Sequence, residues 1–107
     1  MKQTDADLRR YYRIANKRYF GNKLPVHFHL QFGKIKGAGV THVLNGDTPI
    51  AIEINETLRT FQAITILTVL HEMLHVEKPK DDHKKNDWRF DRRMLRLAQQ
   101  GAFDGLW

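Results

Sequence analysis

Cysteine is absent from the chain, which excludes disulfide staples, thiolate-ligated zinc and thiol catalysis and fits a reducing compartment such as the cytoplasm. Proline and glycine are sparse, three and seven in 107 residues, and they punctuate turns without gathering into a linker. No hydrophobic run is long enough to span a membrane. The longest, Phe61 to Val76, is broken by Gln62, Thr65 and Thr68 and ends in charged residues. The opening Met1-Lys2-Gln3-Thr4-Asp5 has no hydrophobic signal core. These absences predict one domain over residues 1–107, with no membrane segment and a cytoplasmic location.

Acidic residues are the minority charge, 12 against 18 lysines and arginines, giving a net charge of +6. Such a balance favours an acidic partner, nucleic acid first, met through a basic surface. Much of the excess falls on segments of helical pattern, where long basic side chains also form an ordinary solvated face. The oligomeric state is open at this level.

Hydrophobic spacing places the elements. Thr4 followed by Asp7 signals a helix start, and Leu8, Tyr11, Tyr12, Ile14, Ala15 and Tyr19 form one apolar stripe to a stop at Gly21, predicting a helix from about Asp5 to Phe20. Val26 to Phe32 alternates with period two, putting Val26, Phe28, Leu30 and Phe32 on the core side and His27, His29 and Gln31 opposite. The two histidines share a face that could bind a metal, but a half-exposed strand face accounts for them more simply. A short strand is expected around Ala38 to Leu44, then a turn at Asn45-Gly46-Asp47, then a strand at Ile50 to Asn55. Asn55 or Thr57 would cap the approach to a helix running from Leu58 or Thr60 through Val76, apolar on nearly every face and hence buried. A last helix is expected from about Asp87 to Gln100, with Phe90, Met94, Leu97 and Ala98 inward and Gly101 ending it. The order predicts an α+β domain in which an N-terminal helix, a buried central helix and a C-terminal helix pack on a small three-stranded antiparallel sheet.

The central helix ends in His71-Glu72-Met73-Leu74-His75. Residues four apart share a helix face, so His71 and His75 can direct two imidazole nitrogens at one point, the donor type and spacing that suit Zn²⁺. Glu72, about 100° round the helix from His71, is placed to act as general base toward a metal-activated water. This is the HExxH arrangement of metalloproteases. A catalytic zinc takes a third protein ligand and keeps a position for water. His83 is the one histidine downstream, and the carboxylates of Asp81, Asp82, Asp87 and Asp91 compete with it because zinc also accepts oxygen.

With these residues in view, the chain resembles the SprT-like zinc metallopeptidases over most of its length. Tyr19-Phe20-Gly21-Asn22-Lys23-Leu24-Pro25 looks like the family's turn after the first helix. The glycine-containing strand and Ile52-Glu53-Ile54-Asn55 follow in the expected order, then the HExxH helix and a last helix over Arg89 to Ala98. The resemblance implies a compact, zincin-like minimal metalloprotease fold in which three histidines hold zinc and Glu72 is the general base. Some relatives of this kind act on proteins associated with DNA. One departure is local: aligning Phe90 and Met94 with the family pattern sets Asn86-Asp87 where His-Gly is expected and leaves His83 three residues early.

The expected activity is hydrolysis of a protein or peptide substrate, docked as an extended strand against an edge such as Gly37 to Leu44. Tyr11, Tyr12, Tyr19, His42 and several arginines are candidates to stabilise the oxyanion, and Glu53 or the Asp81-Asp82 pair to orient a ligating histidine. Two other readings accompany it: a regulatory protease of one partner, and a zinc-stabilised nucleic-acid or protein-binding domain of little activity.

Overall fold

A computed structural model describes residues 2–79 and 88–107. Helix α1 spans Asp5–Tyr19, strands β1, β2 and β3 span His29–Gly33, Gly39–Leu44 and Thr48–Asn55, a 3₁₀ turn covers Glu56–Thr60, and helices α2 and α3 span Gln62–Glu77 and Trp88–Gln99. The architecture is α+β, as the hydrophobic spacing predicts.

The first helix starts where its capping residues require. Thr4 accepts a hydrogen bond from the Asp7 amide, and the Asp7 carboxylate accepts one from the Thr4 amide at 2.8 Å, a reciprocal capping box. Leu8, Tyr11, Tyr12 and Ala15 are buried. At the far end the chain turns through Gly21 and Asn22, both with positive φ. The buried Asn16 amide fixes that turn by donating to the Leu24 carbonyl and accepting from the Leu24 amide.

The sheet is mixed, with strand order β1-β3-β2. The antiparallel sheet expected from the sequence is corrected in one pairing: β1 runs parallel to β3, while β2 and β3 form the antiparallel hairpin through Asn45-Gly46-Asp47. A parallel pair needs a long connection, and here that connection contains β2 itself. Asn55 pins the crossing, its side-chain amide donating to the carbonyls of Ile35 and Gly37, each at 3.0 Å. The hairpin register is regular from Gly39 to His42 and shifts at His42/Val43. Leu30 and Phe32 of β1 and Phe28 just before it are buried as expected, but Val26 is 74% exposed.

The core sits between the inner sheet face, where Leu30, Phe32, Ile52 and Ile54 are buried, and the helices, which contribute Leu8, Ile66, Leu70, Met73, Leu74 and Leu97. Asn55 caps the 3₁₀ turn through the Thr57 amide. Helix α2 is not buried all round: Phe61, Ile64 and Leu67 are 54%, 48% and 38% exposed. On its inward side Thr65 and Thr68 return their hydroxyl hydrogens to main-chain carbonyls, which lets polar residues sit in the core. Glu77 at the end of α2 receives Arg96 of α3 at 3.1 Å, joining the last two helices. On α3, Leu97 is buried, Met94 half-buried and Ala98 exposed. No helix among the described residues is long and apolar enough to cross a membrane.

Candidate active site

The last turns of α2 bring His71, Glu72 and His75 to the flank of β2. The two imidazole rings are neighbours on one helix face, with centroids 5.2 Å apart and planes inclined by 64°. This is the consequence of i, i+4 spacing on an unbroken helix. His71 keeps about a third of its side chain open to solvent, whereas Glu72 is almost fully buried.

Glu72 is held by a residue that the motif does not contain. Thr41, on the inward side of β2 and opposite Ile52 in the hairpin, directs its hydroxyl at Glu72 Oε1 at 2.9 Å and at the Glu72 main-chain carbonyl at 3.1 Å. The other carboxylate oxygen, Oε2, lies 4.0 Å from His71 Nε2. Burial raises the Glu72 pKa above the usual carboxylate value, and the Thr41 hydrogen bond opposes that rise in part. An upward shift makes the carboxyl a stronger base than an ordinary exposed glutamate.

The close approach of strand and helix depends on Gly39. A Cβ at that position would stand 2.7 Å from Thr68 Cγ2 and 3.2 Å from Glu72 Cγ, so any side chain there forces β2 away from α2. Gly39 and Thr41 were invisible as site residues in the sequence. Their one signal is a glycine and a hydroxyl two apart in a short strand, which places both on one sheet face but names no partner.

Several expected residues are not brought here. His42 and Glu53 lie on the outer face of the sheet, where His42 Nε2 and Glu53 Oε1 are 3.0 Å apart and Gln31 also donates to Glu53. The His42 bond, then that from Gln31, holds the Glu53 carboxyl below its usual value. Glu53 is thus turned away from the histidines it was expected to orient, because its strand neighbours Ile52 and Ile54 take the inward positions. Tyr11 and Tyr12 are committed elsewhere, their hydroxyls donating to Gln3 Oε1 and to the Pro25 carbonyl. His29 Nε2 meets Gln31 Oε1 at 2.8 Å on the same outer face. His83, Asp81, Asp82, Asp87 and the Asp91 side chain lie outside the described residues. Among the described residues no group of three or more histidine and carboxylate side chains is arranged to hold a metal.

No protein-family model, curated protein or solved structure matches this chain. The functional reading rests on the chain's own residues.

Proposed function

We propose that this chain is a zinc-dependent metallopeptidase of the SprT-like kind, with a zincin-like minimal arrangement and Glu72 as general base. The observation that carries the reading is the buried Glu72 carboxyl, fixed by Thr41 on β2 beside two imidazoles that share one face of α2. The donor chemistry fits the metal: neutral imidazoles at i, i+4 are a zinc pair, and a partly exposed His71 leaves the pair accessible from solvent. His71 and His75 would hold zinc, with His83 the expected third ligand. When bound, zinc polarises a carbonyl and acidifies a coordinated water.

The protein's own groups do the rest. Glu72 accepts a proton from water and returns it to the departing amine, a role suited to a carboxyl whose pKa burial has raised. Thr41 keeps the carboxyl in one orientation. The outer margin of β2 has no neighbouring strand among the described residues, and its main-chain groups from Gly39 to His42 are regularly spaced for an extended peptide. A substrate laid there would lie on the strand whose Thr41 holds the Glu72 carboxyl.

The test is peptide hydrolysis and metal content measured on the same preparations. Glu72→Gln should lose activity by about 10²–10⁴-fold while keeping about one zinc per chain. Retained activity refutes Glu72 as base, and protein isolated without zinc at His71 and His75 refutes the metal assignment. His83→Ala should weaken zinc binding; unchanged affinity transfers the third position to a carboxylate.

A further inference from the structure

A second concave site lies between α1 and the β1 margin, and none of its lining residues belongs to α2 or β2. The groove has a volume of about 570 Å³, within the range of about 300–1,000 Å³ typical of small-molecule sites. Its floor is apolar. Phe28 and Leu30 are buried there, and Phe28 stacks on Tyr12 with centroids 5.4 Å apart and planes within 5°. Val26, an exposed apolar side chain that the core does not use, also lines the groove.

The rim has the opposite character. Arg9 and Arg13 reach it from α1, His27 and His29 from the strand side, and no carboxylate lines it. Four-residue spacing puts the two arginines on one helix face. Neither guanidinium has a hydrogen bond or ion pair among the described residues, and the same is true of the His27 ring. Arg10, one position away, is by contrast spent on Asp7. Two uncommitted guanidinium forks side by side match the oxygen geometry of a phosphate.

The walls are held independently of any ligand. Asn16 is fixed on Leu24, the Tyr12 hydroxyl donates to the Pro25 carbonyl, and the Asp5 carboxylate accepts the Phe32 amide and so closes the β1 margin beyond the groove. Preorganised walls, an apolar floor and a cationic rim without acid ask for an anionic group joined to a flat apolar body. We propose that this groove binds a nucleoside phosphate, its phosphate on Arg9 and Arg13 and its base toward Val26 and the Phe28–Leu30 floor. This site is independent of the peptidase reading.

Two sources supply that chemistry, a free nucleotide and one unit of a nucleic-acid strand. Lys17 continues the row of Arg9 and Arg13 at the same interval, about 6 Å along the helix axis, so a strand would meet a further cation beyond the groove. The experiment is fluorescence anisotropy with a labelled thymidine oligonucleotide, and titration calorimetry with adenosine monophosphate and with inorganic phosphate. Arg9→Ala/Arg13→Ala is compared with Lys34→Ala/Lys36→Ala, which removes the same charge from the β1–β2 connection. All four positions are solvent-facing, and thermal melts verify the fold.

Binding of either nucleotide probe that falls roughly tenfold in the arginine pair and changes little in the lysine pair supports the site. For the oligonucleotide the slope of log affinity against log salt should also drop by about 0.7, the release expected for one phosphate on a single strand. An oligonucleotide bound more tightly than adenosine monophosphate assigns the strand as source, and equal affinity assigns the free nucleotide. Absence of binding by both, equal losses in the two double variants, or competition by inorganic phosphate as effective as that by adenosine monophosphate would each overturn the proposal.

Discussion

Gly39 and Thr41 decide how closely β2 can approach α2, and both act through contacts that a single methyl group would change. Gly39→Ala should destabilise the fold by about 1–3 kcal/mol through overpacking against Thr68. Thr68→Ser removes the methyl that the new Cβ would strike, so denaturant titrations of the single and double variants should give a favourable coupling. Additive losses would place the strain elsewhere. If the proposed function holds, Thr41→Val should leave zinc binding at His71 and His75 in place while lowering turnover, since it removes the hydroxyl bonded to the Glu72 carboxyl. A drop in metal content matching the drop in activity would argue against that positioning role.

Another residue-scale consequence concerns Tyr12, whose phenol is buried and whose pKa burial raises well above the ordinary value of 10.0. In the unfolded chain the phenol ionises near 10, while in the folded protein it keeps its proton. The stability it lends is therefore complete below pH about 10 and is lost as pH rises toward the folded value. Tyr12→Phe should cost about 1 kcal/mol at neutral pH by removing the hydrogen bond to Pro25, yet flatten the alkaline limb of a stability-versus-pH curve. An unchanged alkaline limb would assign that loss to other groups.

At the scale of elements, the sequence disclosed what repeats locally and hid what depends on distant partners. The stripe Leu8, Tyr11, Tyr12, Ala15 and the cap at Thr4 are set within one helix, and both stand where the spacing puts them. The HExxH pair is legible for the same reason, because i, i+4 geometry needs nothing outside α2. Alternation in a strand tells which side each residue faces but not which strand lies next to it, and the parallel β1–β3 pairing was missed on that account. The uniform hydrophobicity of α2 likewise concealed its open side, since Ile64 and Leu67 read the same whether a neighbour covers them or not. Asn16, an unremarkable polar residue in a helix, is the anchor of the turn into β1. Asn16→Ala should cost about 1–3 kcal/mol by leaving the Leu24 amide and carbonyl unpaired, measurable by chemical denaturation; a change within error would show that water replaces both bonds.

Across the whole molecule, the chain's last residue ties three regions together. Trp107 lies edge-on to Tyr11 of α1 with centroids 6.0 Å apart, its indole N–H donates to the Ala102 carbonyl, and its own carbonyl accepts from Gln62 at the start of α2. Trp107→Ala should lower stability by roughly 2 kcal/mol through lost aromatic packing, read from the thermal midpoint.

The register shift at His42/Val43 sets a limit on what β2 can recruit. A guest strand finds an orderly ladder only from Gly39 to His42, and past that point the margin bends out of step. The other side of the sheet has its Phe32 amide already claimed by Asp5. A margin with so short a regular ladder offers poor footing for end-on growth of one copy upon another, so the edge proposed for a peptide is also curbed as a seed for fibres.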